Sequence, residues 1–340
     1  MSKKGLFDDA IEYSEKVLRI NIKLFGERSP NVAIDYNYLG VIWADKGNYD
    51  TATTYFEKSL DITKVLFGEE SPDTAILYSN IASVLVDIGQ IDKGMEYYFK
   101  ALDIELNLYG ESHPNIAIRY RNIGYTFRQN DDLNKALEYY EKALKIDLDL
   151  HGEKHDHVAM IYKDIGYIWR KNKNYVKAID YDQKALAIYL MLYGEDIPES
   201  AMGYNELGLA LQDNGEVHKA IDCYEKALLI GEKIYGEKNI KVAIYYNNVG
   251  YGWEGLEDDY KAIDYYQKSI DIHHSVNKVN KDLGLAYENI GRIWKKRGNM
   301  EIAVDFKRKA YDVYLELYGQ NHRLTKTSKE NLDWYITMKK

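Results

Sequence analysis

Gly250, Gly252 and Gly255 form the one G-x-G-x-x-G spacing in the 340-residue chain, a pattern that can bring backbone N–H groups against a pyrophosphate. That chemistry needs a strand before the first glycine and a helix that starts at it. Here the glycines read as the interior of a single helix, so no nucleotide site is expected. His151, His155, Asp156 and His157 are close enough in sequence to ligate a metal. No cysteine or distant histidine completes a set, and the segment reads as a solvated loop with no metal. His273 and His274 are adjacent on a helix and point apart. Cys223, the single cysteine, cannot form an internal disulfide and reads as a small buried hydrophobe. No nucleophile with a positioned base emerges from fixed spacing, so neither catalysis nor a cofactor is expected.

A different constellation is made for recognition. Arg121 and Arg128 are two helical turns apart, hence on one helix face, with Asn122 and Tyr125 between them. Lys163, Asp164, Tyr167 and Arg170 repeat the arrangement further along the chain. Arginine pairs bidentately with carboxylate or phosphate, and tyrosine stacks on a peptide side chain. The spacing therefore suits an extended peptide carrying Asp, Glu, a phosphate or a free carboxylate. The alternative is a solvated face whose charges balance nearby Asp and Glu.

The elements that position these residues are set by a repeat. Gly26, Gly68, Gly110, Gly152, Gly194 and Gly236 recur at one constant interval, each followed by glutamate. Between them two helical patterns alternate. The first runs from about Pro30 to Asp45 with Ala33, Tyr36, Leu39, Gly40 and Trp43 on a 3.6-period stripe, opened by Ser29-Pro30. The second runs from about Tyr49 to Phe67 with Ala52, Tyr55, Phe56, Ser59 and Leu60. Gly40, Gly124, Gly166, Gly208, Gly250 and Gly291 share one place in the first helix, with Ala82 in the second repeat. Mid-helix glycine costs ~1 kcal/mol relative to alanine, so its recurrence implies that the partner helix passes too close for a Cβ. Tyr36, Tyr78, Tyr120, Tyr162, Tyr204, Tyr246 and Tyr287 then read as core rings between repeats.

Composition agrees with a folded, non-membrane chain. Hydrophobic residues make up 46% and charged residues 29%, and 33 tyrosines stand against 7 phenylalanines. The net charge of -9 argues against nonspecific nucleic-acid binding. No stretch approaches the ~18 apolar residues of a membrane span. The first residues also lack the apolar core of a secretory signal, so a cytoplasmic location is expected.

The spacing aromatic-x2-Leu/Ile-Gly-x2-aromatic, followed by Ala, aromatic and Ala, is carried in the third repeat by Tyr120, Ile123, Gly124, Phe127, Ala136, Tyr140 and Ala143. It resembles the tetratricopeptide repeat. The 42-residue length and the Gly-Glu-x-x-Pro link are similar to the kinesin light chain branch of that superfamily. Lys64, Leu106, Leu148 and Leu190 stand where the usual proline ends the second helix, so that helix is expected to be longer than standard. No heptad coiled coil accompanies the repeats, and a motor subunit is not expected. The resemblance implies an all-α fold, a right-handed superhelical solenoid of antiparallel hairpins whose first helices line a concave face. It implies a protein or peptide partner, and a role for Asn122, Asn205, Asn248 and Asn289 in holding a peptide backbone. On this reading Arg121, Asn122, Tyr125, Arg128, Lys163, Tyr167 and Arg170 form a basic-aromatic strip, with Arg121 beside Lys163, Tyr125 beside Tyr167 and Arg128 beside Arg170. The implied function is a non-enzymatic adaptor for an acidic segment.

The array divides into a half-unit at 1–25 and complete units at 26–67, 68–109, 110–151, 152–193, 194–235, 236–277 and 278–318, with a half-unit at 319–340. Residues 1–25 read as a second helix alone and 319–340 as a first helix alone. Three explanations stay open: a piece of a longer array, half-units that cap their neighbours, or head-to-tail docking of one molecule on the next into rings or filaments. Docking would use Leu6, Phe7 and Ile11 with Leu332 and Ile336. Lys326, Lys329 and Asp333 favour a polar cap instead.

Overall fold

The computed structural model describes residues 3–339, with side chains from Phe7 to Met338. It is all-α, and the chain divides into two compact units, Met1–Glu153 and Lys154–Lys340. The first unit holds α1 (Lys3–Phe25), α2 (Pro30–Asp45), α3 (Tyr49–Phe67), α4 (Pro72–Asp87), α5 (Ile91–Tyr109), α6 (Pro114–Gln129) and α7 (Leu133–His151). The second holds α8 (Asp156–Lys171), α9 (Tyr175–Tyr193), α10 (Pro198–Asp213), α11 (Val217–Tyr235), α12 (Ile240–Gly255), α13 (Asp259–Ser275), α14 (Lys281–Lys296), α15 (Met300–Tyr318) and α16 (Arg323–Lys339). Consecutive pairs α2–α3, α4–α5 and α6–α7, and α8–α9 to α14–α15, are antiparallel hairpins.

Local chemistry sets these boundaries. Ser71 Oγ accepts the Thr74 N–H at 3.2 Å, and Pro72 opens α4 where no intrahelical partner for an N–H exists. Second helices begin on polar caps such as Asn48, Asp132, Asn174, Asp258 and Asn299. They end on the periodic glycines. Gly68, for example, has φ +90° and returns its N–H to the Lys64 carbonyl at 3.0 Å. Where Lys278 stands at the place of the periodic glycine, Asn277 just before it takes the left-handed conformation at φ 48°.

The close approach inferred for the mid-helix glycines has a specific occupant. A Cβ on Gly124 would lie 2.9 Å from Tyr140 Cδ1 and 3.2 Å from the Ala136 carbonyl, and one on Gly250 would meet the Tyr266 ring at 2.8 Å. Phe56 and Tyr224 cover Gly40 and Gly208 in the same way. In the α4–α5 hairpin the small residues are exchanged: Ala82 sits on α4, and Gly94 on α5 faces the Ala82 carbonyl. The other tyrosine series closes the same hairpins from one side. It forms the tilted ring pairs Tyr36–Tyr55, Tyr78–Tyr97, Tyr120–Tyr139, Tyr162–Tyr181, Tyr246–Tyr265 and Tyr287–Phe306, with centroids 5.5–6.1 Å apart. These pairs join the two helices of one hairpin, rather than acting only between repeats as the spacing suggested.

Adjacent hairpins are held in register by a pair that changes from joint to joint. Glu105 and Arg119 are both buried and pair bidentately at 2.8 and 2.9 Å, and Arg119 also donates to Ser79. At the corresponding place Asn21 donates to Asp35 at 2.7 Å, and the Tyr245 ring fills the space above Gly231. Replacing Glu105 alone with threonine leaves a buried guanidinium without its carboxylate, an expected loss of about 3–5 kcal/mol. The double change E105T/R119L installs the residues that the preceding repeat carries there, Thr63 and Leu77. It should recover most of that loss in urea unfolding. A single variant as stable as the parent would refute the assignment.

Candidate functional site

In the first unit a cavity of about 390 Å³ opens between the first helices α4 and α6. Ser79, Asn80, Ser83 and Asp87 line it from α4, and Arg121, Asn122 and Tyr125 from α6, with Tyr98 of α5 as its floor. Three of the four sequence-predicted residues of α6 thus share one space. Arg128 lies over the Tyr125 ring at 4.8 Å, and Gln129 donates to the Tyr125 hydroxyl at 2.5 Å. Burial pushes the Asp87 carboxyl up, so the carboxylate opposite Arg121 protonates more readily than an exposed one. The arrangement offers a cation, an amide and a ring around a polar hollow.

The second unit places its predicted residues differently. Arg170 reaches Glu206 at 3.6 Å and Asp213 at 3.7 Å, with the Tyr167 ring 5.8 Å away. Its charge is therefore shared by two carboxylates of α10. Lys163 turns towards Met202 Sδ at 3.8 Å and lines a separate cleft with Met160, Tyr189, Tyr193 and Pro198. The expected juxtapositions of Arg121 with Lys163, Tyr125 with Tyr167 and Arg128 with Arg170 each join one residue from either unit.

The asparagines form a ladder along successive first helices. Asn80 donates to Asn37 at 2.8 Å in the first unit, and Asn248 to Asn205 at 2.6 Å and Asn289 to Asn247 at 3.3 Å in the second. Asn205 and Asn289 are buried. Each pair satisfies an amide donor and an acceptor that would otherwise be left unmade near the core. Asn122 instead faces the α4–α6 cavity.

The remaining sequence candidates have local roles. His155 Nδ1 accepts the His157 N–H at 3.3 Å as the N-cap of α8. Gly250 and Gly252 lie inside α12 under Tyr266 and Ile221. Cys223 packs beside Tyr204 where other hairpins place a second ring, and burial pushes its thiol up to about 11. Ile11 is buried on the inner side of α1, while Leu332 and Ile336 pack on α15, and Phe7 is half-buried. Leu6 lies outside the residues whose side chains are described.

Sequence reasoning missed the residue that most departs from the repeat. At the place of Phe56, Tyr98, Tyr140, Tyr224 and Tyr266, the fourth hairpin has Asp182 and the seventh has Lys307. Asp182 is 3% exposed, its Oδ1 lies against Gly166, and that oxygen has no hydrogen-bond partner. Burial, with Glu206 adding to it, pushes the carboxyl up to about 8, against the pull of Arg170 and Lys163. Lys307, under the Tyr335 ring at 5.3 Å, is pushed down by burial. The signal was available: two charged residues in a periodic column of rings.

With fold and site in view, kinship can be stated. Tetratricopeptide repeat models match residues 2–64, 36–98, 73–149, 120–191, 199–275 and 284–324, and the chain belongs to the tetratricopeptide repeat family. No curated relative matches it significantly. BtubC (BKLC) of P. vanneervenii is similar in fold, with TM-score 0.59 and 22% identity over 69% of this chain and 93% of that one. The quorum sensor NprR of B. thuringiensis, in its apo form, superposes with TM-score 0.72 at 16% identity, over 91% of this chain and 84% of its own. Nearly identical repeats of a kinesin light chain candidate from Podosopora anserina give TM-score 0.51 at 17% identity, over 59% and 96%. Among the described residues no helix is long and apolar enough to cross a membrane.

Asp182 also yields a stability prediction. Its folded pKa of about 8 lies above the ordinary 3.8, so the folded state holds the proton more tightly. That contribution is complete below pH ~4 and is lost as pH rises through ~8. Asp182→Asn, which cannot ionise, should match the parent near pH 4 and exceed it by several kcal/mol near pH 9. Denaturant unfolding at the two pH values checks this, and parallel pH profiles would exclude it.

Proposed function

We propose that the chain is a non-enzymatic adaptor that binds an extended, acidic segment of a partner protein on the face formed by its first helices. The α4–α6 cavity carries the reading, because Arg121, Asn122 and Tyr125 converge on it from one helix turn to the next. A carboxylate of the segment would meet Arg121, its backbone would meet Asn122, and an adjacent side chain would lie beside the stacked Tyr125 and Arg128. The test is fluorescence titration with a labelled Asp/Glu-rich peptide. Reversing Arg121 and Arg128 to glutamate should abolish capture while helicity by circular dichroism stays at the parent level. Unchanged capture with intact helicity would refute the site.

A second reading, self-association, rests on another surface. Tyr13, Val17, Ile20 and Leu24 form an exposed apolar row on α1, between 47% and 68% accessible, and Trp334 and Met338 are exposed on α16. The residues first suggested by the sequence, Ile11 and Leu332, already serve the inner faces of these helices. Light scattering over a wide concentration range separates the readings. A constant mass near 39.6 kDa would exclude self-association. A rising mass that falls back on Ile20→Glu would establish it through α1.

A further inference from the structure

The residues that line the α4–α6 cavity have equivalents in the second unit that differ in charge. Moving two repeats along the chain carries Ser79 to Lys163, Val86 to Arg170, Asn122 to Glu206 and the floor residue Tyr98 to Asp182. The place of the phenol that floors the cavity is thus taken by a carboxylate, buried against Gly166 of α8. The Asp182 side chain also ends well short of the reach of a tyrosine. In the sixth hairpin the Tyr266 hydroxyl extends to Glu254, the residue at the place of Arg170.

We propose that this place, between α8 and α10, is a subsite for a cationic nitrogen, the ammonium of a lysine side chain or of a free peptide amino terminus, held between Asp182 and Glu206. The inference rests on the reading of the first-helix face as a peptide-binding face and names a second chemistry on it. Three observations carry it. Asp182 is buried to 3% exposure with an oxygen that lacks a hydrogen bond, an arrangement that costs free energy unless a donor arrives. Glu206 acts on it from α10, adding negative potential at the same place. The cations of α8 do not cancel this: Arg170 is divided between Glu206 and Asp213, and Lys163 is turned to Met202.

Binding is coupled to a proton. Near neutral pH the Asp182 carboxyl holds a proton, because burial and Glu206 keep it up at about 8 with only Arg170 and Lys163 acting in the opposite sense. An arriving ammonium pairs with the carboxylate, and the carboxyl proton leaves to the buffer. No bond other than O–H is broken.

The experiment is carbon-detected NMR of the aspartate carboxyls in the whole chain at neutral pH, titrated with three probes. These are acetyl-Gly-Lys-Gly-amide, Gly-Gly-Gly-amide with a free amino terminus, and acetyl-Gly-norleucine-Gly-amide. A saturable shift of the Asp182 signal to its ionised position with the lysine probe assigns the subsite to a side chain. The same shift with only the free amino terminus assigns it to a chain end. Binding should weaken roughly tenfold or more in Asp182→Asn, which keeps the shape and loses the charge. Asp182→Tyr, which restores the ring of the other hairpins, should abolish it. No saturable shift with either amine, an equal shift with the norleucine probe, or parental affinity in Asp182→Asn would overturn the proposal. The Arg121→Glu, Arg128→Glu variant keeps the Asp182 response if this subsite stands while the acidic-peptide reading fails.

Discussion

A glycine lying under an aromatic ring sets the distance between the two helices of most hairpins. Tyr140 over Gly124, Tyr224 over Gly208 and Tyr266 over Gly250 bring a backbone, a ring and an alanine carbonyl within van der Waals reach. The helix propensity given up by glycine, ~1 kcal/mol, is small beside the burial of a whole ring. The contact therefore determines the axial approach of α6 to α7, α10 to α11 and α12 to α13. From that approach follow the outer tyrosine pairs, the facing of first helix on first helix, and the hollow between α4 and α6.

The architecture was legible in the sequence because its determinants are local and repeat. Gly68 and its equivalents stop a helix by adopting positive φ, Ser71-Pro72 starts one, and such signs recur with the period of the repeat. The helices expected at Pro30–Asp45 and Tyr49–Phe67 form over those residues. The period also marks the small residues, although not what lies over them. The tetratricopeptide resemblance agrees with the repeat models, and repeats of a kinesin light chain are among the structures of similar fold.

The chemistry of the face was less legible, because charge balance depends on residues a repeat away. Arg128 and Arg170 hold one place in successive repeats, yet Arg128 lies over the Tyr125 ring while Arg170 faces Glu206 and Asp213. Asn205, Asn248 and Asn289 resemble ligand-holding amides, and their side chains pair along the stack from one repeat to the next. Asp182 is not marked by any spacing of its own, because the column of rings is interrupted only there and at Lys307.

The changing pair at each joint also has a consequence for how such a gene can change. Glu105 with Arg119 and Gly231 with Tyr245 share one separation along the chain, and Tyr189 and Gly203 stand at the same two places in their repeats. Slippage during replication adds or removes whole repeats without disturbing the period. Loss of residues 194–235 would nevertheless bring Tyr189 to the joint that Tyr245 fills, two rings in the room of one. Duplication of the same stretch would set Gly231 opposite Gly203 and leave a hole. Repeats that look interchangeable by period are thus ordered by their joints, and changes in repeat number are filtered by packing before any partner is met.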